Sequence, residues 1–316
     1  MNTEISNPIL VTGAKGFIGA NLVRRLILDG NTVHIFLRHD SNMWRLDGIM
    51  GSLQVHKVDL CNKIEVESAI NKIKPRTIFH LASYGAYPFQ KEVEIIKDVN
   101  LNGTVNLLSA CESAGFDSFI NTGSSSEYGF KDKPMKETNM VEPNSDYAVF
   151  KSEATKFCEE EANSKNLPIV TLRPFSVYGP YEEPTRLVPK LITNLLKNDC
   201  PPLVSPETAR DYIYVEDMIE AYLITAEMKG LCGEIINIGS GVQTTIKEIV
   251  GMVIGLTGAK VKPKWGTMEQ RIWDQNIWQA DISKAREVLN WSPKNDLRSG
   301  LAKTIEWFKH NLELYK

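Results

Sequence analysis

Tyr147 and Lys151 stand one helical turn apart in Tyr147-Ala148-Val149-Phe150-Lys151, so on a helix both side chains share a face. That pairing suits one kind of chemistry. A carbon that exchanges hydride while bearing oxygen needs a proton donor or acceptor at that oxygen. A phenol does this near neutral pH only if its pKa falls far below about 10. A neighbouring ammonium moves it that way. The same spacing also arises as a surface pair with no role, so its weight depends on its company. Upstream, Asn121-Thr122-Gly123-Ser124-Ser125-Ser126-Glu127-Tyr128-Gly129 follows a strand-like run. The Ser124 hydroxyl at a strand's carboxyl end is well placed to hold a reacting oxygen beside Tyr147. A plain turn that favours small polar residues is the alternative.

A second feature begins near the N-terminus. In Ile9-Leu10-Val11-Thr12-Gly13-Ala14-Lys15-Gly16-Phe17-Ile18-Gly19, an apolar run leads into three glycines spaced three apart, and an amphipathic stretch follows. The order reads as strand, tight turn and helix. Glycine lets the backbone approach a pyrophosphate closely. The helix N-terminus offers unpaired N–H groups and the positive end of its dipole. The second strand ends Ile35-Phe36-Leu37-Arg38, where an NAD-binding chain usually carries an acidic residue. Arg38 fits a 2′-phosphate instead, and Lys15 adds charge, although Asp40 lies close. The expectation is NADP, with NAD as the alternative.

These residues need a scaffold. Strand-like runs at 9–11, 33–37, 53–58, 77–81, 118–122 and 169–172 alternate with helical patterns such as 63–73 and 95–114. Such alternation implies a parallel sheet covered on both faces, the doubly wound Rossmann arrangement, with ligands beyond the carboxyl ends of the strands. After Arg173 prolines become frequent and the alternation breaks. Residues 1–175 are expected to form the dinucleotide-binding domain, with 211–238 returning to it. Residues 176–210 and 239–316 would make a smaller C-terminal α/β lobe that binds substrate.

The 316 residues carry a net charge of −3, which argues against a nucleic-acid surface. The five cysteines are scattered without metal or disulfide spacing, and the five histidines show no ligand pattern, so no metal is expected. The first strand occupies the place of a leader, and the apolar run 249–256 is too short to span a bilayer and reads as a buried helix. A cytoplasmic protein without membrane partners is expected.

With these motifs in order, the chain resembles an extended short-chain dehydrogenase/reductase of the NAD-dependent epimerase/dehydratase kind, the nucleotide-sugar enzymes. The likeness runs nearly end to end. It includes the glycine motif, Asp59-Leu60, His80-Leu81-Ala82-Ser83, Asn100-x-x-Gly103-Thr104, Ser124 and Tyr147-x-x-x-Lys151. It continues through Arg173-Pro174-Phe175-Ser176-Val177-Tyr178-Gly179-Pro180, Arg210-Asp211-Tyr212, Asn237-Ile238-Gly239-Ser240-Gly241 and Trp291-Ser292-Pro293. The resemblance implies that Gly13, Gly16, Phe17, Ile18 and Gly19 cradle the pyrophosphate. It implies that Asp59 and Leu60 hold the adenine, and that Leu81 and Ala82 line the nicotinamide side. Ser83, Asn100 and Pro174 join them as cofactor contacts, with Tyr147 and Lys151 both binding and catalytic alongside Ser124. Arg210 and Arg271 match positions that grip a nucleotide-sugar diphosphate. Ser125, Tyr87 and Ser176 are further substrate candidates. Trp265, Trp273 and Trp278 read as packing residues more than base-stacking ones. The resemblance implies a homodimer, with the helices 95–114 and 152–164 as the paired contact.

Absences shape the reaction. Relatives that dehydrate carry an acidic residue where this chain has Ser126, while Glu127 is one place later and would face differently in an extended strand. A one-residue bulge would restore it. The Cys/His pair of epimerising reductases is matched by Ser126 and Tyr181. The favoured expectation is NADPH-dependent reduction of the C4 ketone of a nucleotide-diphosphate 4-keto-6-deoxyhexose, with similar Ser-Ser-x-Glu-Tyr-Gly loops and the 268–271 segment leaning that way. The alternative is an NAD-dependent nucleotide-sugar 4-epimerase. A 4,6-dehydratase and a dinucleotide sensor without turnover rank below both.

Overall fold

Four wholly buried residues, Ile9–Thr12, form β1 in the computed structural model, which describes residues 5–38, 42–268 and 277–315. The chain then runs α1 (Phe17–Leu28), β2 (Val33–Leu37), β3 (Leu53–Lys57), α2 (Lys63–Ile73), β4 (Thr77–His80), α3 (Val93–Lys97) and α4 (Gly103–Ala114). It continues through β5 (Ser118–Thr122), α5 (Asp146–Lys165), β6 (Ile169–Pro174), β7 (Ser176–Tyr178), α6 (Leu187–Leu195) and β8 (Ala209–Tyr214). Last come α7 (Val215–Glu227), β9 (Glu234–Ile238), β10 (Gln243–Thr245), α8 (Ile246–Thr257), α9 (Ser283–Leu289) and α10 (Leu297–Asn311).

Seven strands form one sheet in the order β3-β2-β1-β4-β5-β6-β9, the expected doubly wound arrangement. β1 pairs in parallel with both β2 and β4, so the strand order reverses there. That is where such folds leave a crevice for ligands. One face of the sheet is sealed by α2, α4 and α5, through a cluster that includes Leu10, Ile78, Phe119, Val66, Ile70, Leu107, Leu108, Cys158 and Ala162. The central strands β1, β4, β5 and β6 are buried on both sides, whereas the edge strand β3 is largely exposed.

The chain divides into two compact units. The first holds residues 1–129, 139–174 and 219–236, and the second holds 130–138, 175–218 and 237–316. The expected return segment thus starts later, inside α7, and 211–218 belongs with the second unit. Residues 130–138 also belong there, because Met135 exchanges backbone hydrogen bonds with Gln279 and Asp281 and its carbonyl accepts from the Asn237 amide. Sequence periodicity could not reveal either assignment. The second unit carries a three-stranded sheet, β10-β8-β7, with α6, α8 and α10 packed around it.

Two helical expectations change. The pattern over 95–114 is broken by a π-helical turn, Asp98–Asn102, between α3 and α4. Such a turn adds a residue and is common at functional sites. Here it coincides with Asn100, which points inward. The 249–256 run is half-buried: Ile249, Val250 and Val253 face the core, while Gly251 and Gly255 are exposed. Among the described residues no helix is long and apolar enough to cross a membrane, no disulfide links the five cysteines, and no cluster could hold a metal.

Candidate active site

The glycine turn is closed by sterics. Gly13 has φ +69°, and a Cβ there would lie 2.5 Å from the Leu81 carbonyl carbon and 2.6 Å from the Ala82 nitrogen. A Cβ on Gly19 would strike the Gly13 carbonyl oxygen. Gly16 is less crowded, and its N–H donates to that same carbonyl at 2.9 Å. It also caps α1, where no side chain bonds the first N–H groups and no acidic residue occupies the first turn. Backbone donors therefore remain for an anion, and Phe17 and Ile18 begin the helix half-buried beside them. These residues fit a dinucleotide pyrophosphate.

Beneath the turn runs a buried polar chain. Thr12 Oγ1 lies 2.7 Å from His80 Nδ1, His80 Nε2 lies 2.9 Å from Thr104 Oγ1, and the Thr104 hydroxyl donates to the Asn100 carbonyl. Thr104 thus accepts from His80, which fixes the Nε2–H tautomer, and Nδ1 accepts from Thr12. Burial pushes the His80 pKa down to about 3, so the ring is neutral. Asn100, expected as a cofactor contact, is wholly buried, and its amide binds both backbone groups of Tyr84, at 3.0 and 2.7 Å. Its side chain clamps the loop after β4. On that loop Leu81 and Ala82 are half-buried, Ser83 is exposed, and Tyr87 stacks on Phe89.

Leu60 is buried, and Asp59 accepts from the Cys61 N–H. Arg38 is exposed just past β2. Lys15 is partly buried, and its pKa is lowered by that burial and by the charges of Arg38 and Arg45. Asp40 falls outside the described residues.

Past β5, Ser124 caps a short 3₁₀ turn, Ser125–Tyr128, which replaces both the extended strand and the bulge considered from sequence. The turn forms because Ser124 Oγ accepts from the Ser126 N–H while Glu127 reaches back to the Ser124 N–H, a capping box. The Ser124 and Ser126 hydroxyls are 2.7 Å apart, and Ser125 is buried. Glu127 has no exposure at all. It takes hydrogen bonds from the Ser124 N–H at 2.7 Å, Thr155 Oγ1 at 3.1 Å and Arg173 Nε at 2.8 Å. Arg173 also donates to the Tyr128 hydroxyl and lies over its ring. Gly123 is required here, since a Cβ would sit 2.7 Å from Glu127 Oε1.

On α5, capped by Ser145, Tyr147 is half-buried and Lys151 lies one turn on, buried to 2% exposure. Burial lowers the Lys151 pKa, and Glu127 opposes that shift. Tyr222 on α7 is fully buried, within 2.7 Å of Thr122 Oγ1. Pro174, half-exposed, ends β6.

In the second unit, Ser176 is half-buried on β7. Arg210 donates to the neighbouring Ala209 carbonyl and lies over Trp278, itself buried as a packing residue. Arg271 and Trp273 fall outside the described residues, as do Glu269 and Gln270. Two carboxylates that sequence reasoning did not single out anchor the unit's motifs. Asp211 accepts from Ser240, Gly241 and Ala280, and Asp217 accepts from Lys294 and Asn295. Their signal was the pairing of the Arg-Asp-Tyr motif with the Gly-Ser-Gly and Trp-Ser-Pro motifs.

Residues 9–239 match the NAD dependent epimerase/dehydratase family. The chain is 31% identical to a UDP-glucose 4-epimerase of Mycolicibacterium smegmatis, covering 95% of this chain and 98% of that one. It is 28% identical to the human dTDP-D-glucose 4,6-dehydratase, covering 98% and 91%. A solved structure of the Bacillus cereus UDP-glucuronic acid 4-epimerase, in complex with UDP-glucuronic acid and NAD, superposes with a TM-score of 0.85 at 28% identity, over 96% and 99% of the two chains.

Proposed function

This chain belongs to the NAD-dependent epimerase/dehydratase family, as an enzyme of the extended short-chain dehydrogenase type, and from that membership we propose that it inverts C4 of a nucleotide-diphosphate hexose. The observation that carries the reading is that Tyr147 and buried Lys151 lie one turn apart on α5, which packs against the turn capped by Ser124 just past β5. The kinship with 4-epimerases favours this alternative over the C4-ketone reductase expected from sequence. It also favours NAD, carried by the glycine turn with Asp59, Leu60, Leu81, Ala82 and Pro174 as neighbours.

A bound nicotinamide would supply reversible hydride exchange at C4. Tyr147 takes the proton from the 4-hydroxyl and returns it to the same oxygen, and inversion would require the 4-keto sugar to turn so that hydride comes back to the other face of C4. Ser124 holds the oxygen while its charge develops. Lys151 stabilises the phenolate by its positive charge. Arg210, Ser125, Ser176 and Tyr87 are the described substrate contacts of this proposal. Dehydration is disfavoured, since Glu127 is bound by Arg173, Thr155 and the Ser124 N–H, and Ser126 carries no acid.

The test is incubation with UDP-glucose and its dTDP, GDP and CDP counterparts, without added dinucleotide. The expected result is a mixture of C4 epimers approached from either side. Formation of a 4-keto-6-deoxy product, or no conversion of any hexose, would sink the reading.

One observation favours a second reading. The Lys15, Arg38 and Arg45 charges repel one another near the end of β2, which suits a 2′-phosphate and hence NADPH-dependent reduction of a C4 ketone. Arg38→Ala should then weaken NADPH binding about tenfold and leave NADH binding unchanged. A homodimer is part of the proposal, because Val93, Ile95 and Val149 expose apolar surface on α3 and α5. Light scattering would measure it.

A further inference from the structure

Three ionic side chains are buried together behind the Ser124 turn: Glu127, Arg173 and Lys151, at 0%, 4% and 2% exposure. The proton mechanism above uses only Lys151. Glu127 sits where its two oxygens divide the work. Oε1 meets the Ser124 N–H and the Thr155 hydroxyl, and Oε2 meets Arg173 Nε. The N–H partners can only donate and so hold the carboxylate form, against burial, which is the larger effect and raises the Glu127 pKa. Thr155, which donates to Glu127, stands one helical turn beyond Lys151, so both side chains leave the same face of α5.

We propose that Glu127 is a positioning residue: its carboxylate fixes the Ser124 backbone and supplies the countercharge that keeps the buried Lys151 ammonium protonated. The proposal rests on the proposed role of Lys151 but is tested independently of turnover. The other groups near Lys151 contribute little charge. His80 is neutral, with its pKa pushed down to about 3, and the Cys158 thiol is pushed up to about 12. Tyr147 is one turn back, and Arg173 is paired to Glu127 and to the Tyr128 hydroxyl. Among the charged groups acting on Lys151, Glu127 comes first, and it opposes the downward pull of burial. Without it the ammonium would face desolvation with no neighbouring anion, and its proton would leave at lower pH. The fold makes room for this carboxylate: glycine at 123 is the only residue that does not collide with it.

The experiment is carbon-13 NMR of the Lys151 ε-methylene in the full chain labelled at lysine, assigned by loss of the signal in Lys151→Arg. Glu127→Gln keeps the shape and removes the charge. Its Lys151 titration should move at least about one pH unit lower than in the wild type. The double variant Glu127→Gln/Arg173→Gln leaves no orphan charge behind, which protects folding, and should shift the same way. Superposed titrations in wild type and in whichever variant folds, up to the pH at which either protein unfolds, would overturn the proposal. A wild type that turns over no sugar nucleotide would instead defeat the proposed reaction and leave this result standing.

Discussion

Glu127 and Arg173 meet at 2.8 Å in a place that water does not reach, forty-six residues apart in sequence and directly behind the Ser124 turn. A buried pair of this kind adds little net stability, because both ions give up hydration to form it. Removing one partner is another matter. Arg173→Met would strand the Glu127 carboxylate and should cost roughly 3–5 kcal/mol. Urea denaturation checks this, and the Glu127→Gln/Arg173→Gln chain should lose clearly less.

Tyr147→Phe keeps the ring and removes the hydroxyl. Turnover should fall about a hundredfold or more, with retention of the dinucleotide unchanged. Mass spectrometry of the purified variant and a rate assay on the same preparation read the two separately. Equal loss of both would mean that the residue builds the site without moving a proton.

Gly13→Ala should abolish dinucleotide retention while the rest of the fold persists. The added methyl meets the Leu81–Ala82 peptide at 2.5–2.6 Å in a backbone conformation that L-residues rarely adopt. The turn must therefore open at the very point where phosphate is expected. Gly16→Ala, where the nearest atom is 3.1 Å away, should be milder. Comparing the dinucleotide content of the two proteins decides it.

Acid sensitivity has a located source in His80. Its folded pKa of about 3 lies below the unfolded value near 6.5, so the unfolded chain binds the extra proton between those limits. Stability from this group is complete above about pH 6.5 and declines as pH falls toward 3, by roughly 1.4 kcal/mol per unit. Urea midpoints measured at pH 7 and pH 5 should differ accordingly. His80→Asn should flatten that slope even though it lowers stability at pH 7.

The alternation of apolar runs and helical patterns was enough to reveal the doubly wound sheet. Strand burial on two faces and helix burial on one impose different spacings on the chain, and those spacings are local. The glycine turn and the Tyr147–Lys151 pair were legible for the same reason, since each is contained within one turn or one helix. Glu127 was not. Its spacing from Ser124 suggested a misplaced catalytic acid, whereas Arg173 and Thr155, far along the chain, make it a buried support. Nor was the bonding of the Asn100 amide to the Tyr84 backbone, which depends on the inward turn at Asp98–Asn102. The assignment of 130–138 to the second unit likewise depended on Met135 meeting residues more than a hundred positions away. What the amino-acid order determined alone is what short-range sterics and periodic burial dictate. Which polar group satisfies which partner was left to the tertiary structure, because buried donors and acceptors choose among whatever the folded chain brings within about 3 Å.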